Sequence, residues 1–221
     1  MKFFSLFLIK LLSVCFFIGG CFSSTFYKSA TVEEGKGSFG LAVGFSTMQY
    51  SNETLHDGSS IEKSRFWPSW EFFVQHGITE NFGLGLKTNL VSIVADTKYQ
   101  YFDGVVLDMA FDLGVGISSF PQTRDNETVY ENYYSVYPAA IFTLNLSDYF
   151  RTSLGLEHKK IYNSNPEGEE SIASFNWGSV NISAGKDFNF IFQTSYFDGN
   201  DFKNNEVVLR SIGFGLAFLF D

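Results

Sequence analysis

The segment 207–220, V-V-L-R-S-I-G-F-G-L-A-F-L-F, restricts the fold more than any other part of this chain. Val208, Ile212, Phe214, Leu216, Phe218 and Phe220 share one parity, and Ser211, Gly213, Gly215 and Ala217 share the other. A period of two with bulky apolar side chains on one side is the pattern of a β-strand with one greasy face. The opposite face is small and uncharged, which does not suit a surface bathed in water. It suits the inner wall of a closed sheet whose outer wall meets lipid.

The same alternation recurs along the chain. Residues 37–46 set Phe39, Leu41, Val43 and Phe45 against Ser38, Gly40, Ala42, Gly44 and Ser46. Residues 105–117 set Val105, Leu107, Met109, Phe111, Leu113, Val115 and Ile117 against Asp108, Ala110, Asp112, Gly114 and Gly116. Weaker versions cover 66–76, 82–87, 95–101, 134–146, 150–162, 175–186 and 188–197, which with the final segment makes ten strands. Short turns are expected at 77–81, 102–104, 147–149 and 187–188. Longer polar loops are expected at 51–65, 119–133, 163–174 and 198–206. Long and short connections in alternation, with an even strand number, predict an all-β, closed, antiparallel up-and-down transmembrane barrel over 37–221.

A soluble barrel would put the apolar parity inside. It would then expose mainly Gly, Ala and Ser on several strands, and it would overfill a small lumen with Phe, Leu, Tyr and Trp. Placing the apolar parity outward removes both difficulties. Aromatic content of 19%, with 27 Phe, fits rings of aromatic side chains at two membrane interfaces. Residues 1–20 read as a secretory signal: Lys2, an apolar stretch interrupted by Lys10, then small residues. Removing Lys2 and Lys10 from the 15 basic residues leaves 13 against 24 acidic ones, a net charge of −11. Nucleic acid is excluded as a partner, because phosphates demand a basic surface.

By parity the lumen receives Glu71, Asp108, Asp112 and Glu157 with Lys87, Lys98, Arg151 and Lys159. Asn145, Asn181 and Gln193 join them. Charges in a narrow barrel pair or stay hydrated, since an isolated buried charge is costly. A balanced set favours internal pairing and a polar plug, whereas a selective pore would carry a surplus of one sign. Against this, the closing strands present only small residues inward, among them Gly40, Gly44, Gly213 and Gly215. That bare wall is either filled from the opposite side or left as a thin water-lined slot.

Several stretches resemble known bacterial families. Ile18-Gly19-Gly20-Cys21 resembles the lipobox of bacterial lipoproteins. The resemblance implies cleavage and acylation at Cys21, a polar tether over 21–36, handling by the lipoprotein-sorting machinery, and, with Phe22 following, outer-membrane delivery. Cys15 departs with the signal, so Cys21 has no internal disulfide partner. Phe218 and Phe220 resemble the C-terminal aromatic signal read by the barrel-assembly machinery of the outer membrane, although Asp221 follows them. The turn G-I-T-E-N-F-G-L-G-L at 77–86 and the segment A-D-T-K-Y-Q-Y at 95–101 are similar to stretches of small outer-membrane barrel proteins. The resemblance implies fold and location, with outer-membrane lipids and lipopolysaccharide as surroundings, and it carries no activity.

A barrel hydrolase needs a nucleophile or water activated by a positioned base, usually His. The three histidines are scattered: His56 in a loop, His76 beside a turn, His158 on an outward parity. The same scatter provides no converging metal ligands. The acidic segment 198–206 has oxygen donors without the spacing of a calcium loop. No cofactor is expected. The sequence therefore predicts a lipid-anchored outer-membrane barrel with a non-enzymatic structural or surface-interaction role. A narrow channel for small polar solutes stands second, and a membrane-embedded lipid-modifying enzyme or protease third.

Overall fold

The computed structural model describes residues 29–221, apart from 55–59, 90, 125–126, 165–169 and 203–205. The signal segment and Cys21 lie outside the described residues, as does His56. Ten strands follow one another: β1 (Gly37–Thr54), β2 (Ser60–Gly77), β3 (Phe82–Thr88), β4 (Ser92–Asp103), β5 (Leu107–Arg124), β6 (Glu127–Ser147), β7 (Phe150–Ser164), β8 (Glu170–Gly185), β9 (Phe188–Asn200) and β10 (Glu206–Phe220). Each pairs antiparallel with its chain neighbours, and β10 pairs with β1 to close the barrel. Closure joins the first and last strands, so most strand backbone groups within the ring find partners without water, as a lipid setting requires; β2 runs on past its short ladder with β3, which covers Phe72–Gly77.

Following paired residues around the wall from Gly77 leads through Gly83, Lys98, Asp112, Ala139, Glu157, Trp177, Phe197, Leu209 and Met48 to Arg65, twelve residues from the start on the same strand. A shear of this size on ten strands tilts them about 40° from the barrel axis. The outward faces carry an apolar belt. On β6 it runs from Leu144 to Tyr134. Ten residues at about 3.3 Å each, tilted as above, cover about 25 Å of the axis, the height of a membrane band. The lower rim of the belt is aromatic. Phe218 stacks on Phe39 at 5.1 Å and meets Phe188 at 4.7 Å. The ring of Phe220 lies over Gly37, where a larger residue would collide with it.

The long connections differ from the sequence expectation. β1 and β2 stay paired out to Thr54 and Ser60, and β5 and β6 out to Arg124 and Glu127. Most of what reads as loop at 51–65 and 119–133 is therefore hairpin. Beyond the belt no lipid imposes apolar alternation, yet the backbone groups still satisfy one another by pairing. The β3–β4 connection is a tight turn. The Asn89 side-chain oxygen accepts from the backbone N–H of Val91 and Ser92 at 3.0 and 2.8 Å.

Candidate functional site: the barrel lumen

The mouth where both described termini lie is filled by the chain itself. Residues 29–32, expected to be part of a polar tether, lie inside it, and 33–36 follow exposed at its rim. Ala30 is fully buried against Ala110 and Ile141. Its N–H donates to Thr143 Oγ1 at 2.8 Å, and the Val32 N–H donates to Gln100 Oε1 at 2.6 Å. The Thr31 hydroxyl donates to Asp108 Oδ2 at 2.7 Å, and Asn145 Nδ2 donates to the same oxygen at 2.9 Å. Gly35, at a left-handed φ of 74°, turns the arm back towards β2. Its N–H donates to Gly77 O at 3.0 Å, and the Gly77 N–H donates to Lys36 O at 2.9 Å. Arg151 sits at this mouth with Nη2 3.9 Å from Glu33 Oε1. Lys36 also pairs with Glu33, and that hydrogen bond and negative charge raise its pKa above the usual lysine value. A recess of about 80 Å³ remains between arm and wall, room for a few waters.

Higher in the lumen the charges gather on β2–β7. Lys87 Nζ lies 2.8 Å from Asp96 Oδ2, with side-chain exposures of 1% and 3%. Asp112 and Glu71 are within electrostatic reach of Lys87, and all are buried, as are Lys98, Asp108, Glu157 and Lys159. Lys159 Nζ stands 5.7 Å from the centre of the buried Tyr137 ring. Seven of the eight charged residues read as lumenal are thus buried in the wall's interior, and Arg151 lies half-exposed at the mouth. Asp96 has the inward parity of Lys98 but stood outside the expected charge set, and it makes the ion pair. Its carboxylate lies over Gly85, its partner across the β3–β4 ladder. Glycine opposite an acid of inward parity is the sequence signal that marks it. Tyr137 was also missed, and its ring lies over Gly114, paired with it on β5.

The wall formed by β1 and β10 is not bare. Gly40 faces Ala217, and Gly44 faces Gly213. Gly213 and Gly215 are buried. Phe73 from β2, 1% exposed, lies across Gly40. Phe73 forms one apolar patch with Ala42, Ala217 and Ile191 of β9. Gly40 is a socket for a side chain of the flanking strand, so at this level the space is filled from next door, which is neither the filling from the opposite wall nor the slot that the sequence left open.

Near the far end the parity rule reverses its chemistry. Phe175, Trp177, Phe197, Val207 and Leu209 point inward and pack together, while Arg210 is exposed. Phe175 stacks on Phe197 at 4.4 Å, and Trp177 meets the same ring edge-on at 5.3 Å. These strands rise out of the belt here, so polar residues turn outward and apolar ones close the lumen, as in a water-soluble barrel. The signal was available: Val207 and Leu209 share the parity of Ser211 and Gly213.

His76 is exposed beside the lower turn. His158 lies on the outward parity of β7, where Nδ1 is 2.9 Å from Asn176 Oδ1.

Solved structures share this architecture. Outer membrane protease OmpT from Escherichia coli aligns at a TM-score of 0.50 over 89% of this chain and 100% of its own, with 8% identity. The fold is that of a bacterial outer-membrane β-barrel. Ail, the attachment invasion locus protein of Yersinia pestis, aligns at a TM-score of 0.34 over 84% of this chain and 100% of its own, with 14% identity. Neisserial surface protein A aligns at 0.37 over 81% and 96%, with 12% identity. At these identities the likeness concerns fold alone. No protein-family model and no curated protein matches the sequence.

Proposed function

We propose that this chain is a non-conducting outer-membrane barrel, acylated at Cys21, that works as an envelope-structural or surface-interaction protein. Its interaction surface is the pair of tall hairpins β1–β2 and β5–β6, which stand above the belt opposite the chain termini. The observation that carries the reading is the burial of the lumenal charges. Glu71, Lys87 and Asp108 are each 1% exposed and Asp112 is 3% exposed. Charges lining an open pore would be reached by water along their length. Function on loops or hairpins held by a rigid wall is the common arrangement for binding proteins. OmpT is a protease; in this chain His158 is engaged with Asn176 at 2.9 Å on the outward parity of β7 and His76 lies beside a turn, and this scatter supports a non-enzymatic role.

Planar-bilayer recording of the folded protein tests the reading, with folding checked by the heat-modifiable gel shift. The expected result is a silent bilayer. Steady, reproducible conductance steps would transfer the protein to the channel class. Trimming residues 119–133 is expected to abolish a surface phenotype while the barrel stays folded. Labelled palmitate is expected in the wild type and not in Cys21→Ala; equal labelling removes the anchor from the proposal.

A further inference from the structure

The barrel wall is notched on one side. β2 pairs with β3 only over Phe72–Gly77, yet it stays paired with β1 out to Ser60. β5 pairs with β4 up to Ser118, yet it stays paired with β6 out to Arg124. The short β3–β4 hairpin is the floor of the notch, and β2 and β5 are its sides. With β3 and β4 ending below, the sides stand three strand spacings apart, about 14 Å. That is too wide for β2 and β5 to pair with each other. Among the described residues, the upper parts of both strands are therefore sheet edges, and such edges template pairing with another chain.

Successive residues of a strand turn their backbone groups to opposite neighbours. The Gly77 N–H donates to Lys36 O, towards β1, and the Ile78 N–H donates to Phe82 O, towards β3. The β1–β2 register is unbroken from His76 to Ile61, so even-numbered residues of β2 face the notch. Glu62, Ser64, Phe66 and Pro68 belong to this series. On the other side the Ser119 N–H donates to Val91 O at the notch floor. The β5–β6 register has no shift, so odd-numbered residues of β5 face the notch, Pro121 and Thr123 among them.

Each edge thus carries a proline in its notch-facing series. Proline has no N–H, so a donor is missing from each edge on the side where pairing would start. One residue to either side, the same proline would have removed a ladder bond to β1 or β6. Pro138 obeys the same rule. The Asn145 N–H donates to Val106 O on β5, so even-numbered residues of β6 face β7. Pro138 falls where the β6–β7 ladder skips from Val136 to Ala139.

We propose that Pro68 and Pro121 are edge guards: they stop the notch from pairing, strand to strand, with the notch of a second copy of this chain, and so hold the barrel as a monomer. Phe66, 64% exposed, stacks at 5.7 Å on Phe45 of the outward apolar series. The β2 edge therefore lies beside the membrane, where little water competes for backbone groups and neighbouring barrels meet side by side. The inference concerns strand edges alone and holds whether or not the lumen conducts.

Restoring the donors tests it. Wild type and the double variant Pro68→Thr with Pro121→Thr are folded into detergent micelles, with folding confirmed by the heat-modifiable gel shift. Protein mass is then measured by light scattering over one concentration range. The expected result is a monomer for wild type and a doubled mass for the double variant. Adding Ser64→Pro and Thr123→Pro puts a proline back into each notch-facing series and is expected to return the mass to that of a monomer. If the double variant fails to fold, Pro68→Thr alone carries the test, with Ser64→Pro as its reversal. A wild type that is already dimeric, a folded variant that stays monomeric, or a dimer that survives the returned prolines overturns the proposal.

Discussion

Replacing Lys87 by Met removes the cation from the most buried ion pair described in the lumen. At 2.8 Å and an effective dielectric constant of about 20, the attraction to Asp96 is about 6 kcal/mol before desolvation is subtracted. Much of that offsets the cost of taking both ions out of water, so the net value of the pair is small. Breaking it is a different matter. Asp96 remains 4% exposed under a wall of side chains, and stranding one ion of a buried pair costs about 3–5 kcal/mol. Lys98, two residues along the same face of β4, could take up part of the carboxylate's charge and sets the effect towards the lower end. The double variant Lys87→Met with Asp96→Leu strands nothing and is expected to recover most of the loss. Urea unfolding in phospholipid vesicles, followed by tryptophan emission and the gel shift, measures all members of the cycle. If Lys87→Met stays within about 1 kcal/mol of wild type and the coupling vanishes, the lysine is hydrated in solution. The lumenal charges are then open to water, and the channel reading regains its footing.

Other expectations follow from the same geometry. Thr31→Val deletes the hydroxyl that donates to the Asp108 carboxylate at 2.7 Å, and is expected to lower the folding free energy by about 1.5–3 kcal/mol in the same urea assay. Gly40→Leu drives a side chain into the ring of Phe73 and the carbonyl of Leu216, and overpacking of this kind costs about 1–3 kcal/mol. The paired change with Phe73→Ala should recover part of it; a stable Gly40→Leu protein would mean the wall there is open after all. Phe218→Ala removes a ring lying 5.1 Å from Phe39 and 4.7 Å from Phe188. Each such pair is worth about 0.5–1.5 kcal/mol beyond its buried area, so a loss of at least about 1 kcal/mol is expected, read as a lower urea midpoint.

The wall of this barrel was legible along the chain because two surroundings act on each strand at once. Lipid on one side selects Phe39, Leu41, Val43 and Phe45; crowding on the other selects Gly40, Ala42 and Gly44. The strand's twofold repeat writes that difference directly into the residue order. Strand number, closure and the inward placement of Lys87, Lys98 and Asp112 follow from the alternation alone. Legibility faded where the surroundings changed. Past Gln49 and Ser119 the strands stay paired while the residue order loses its apolar rhythm, so these stretches read as loops.

What the tertiary structure decided is which inward residues meet. Asp96 pairs with Lys87 because β3 and β4 are in a register that sets Asp96 against Gly85. Phe73 covers Gly40 because β1 and β2 are in a register that places the two side by side. The arm at 29–36 looks like a tether because its residues are small or polar. Its partners Gln100, Asp108 and Thr143 come from three strands and converge on one mouth only when the sheet closes. Side-chain parity is a local property of each strand. Contact across a lumen depends on shear, which is a property of the closed ring, and no single segment of the sequence carries it.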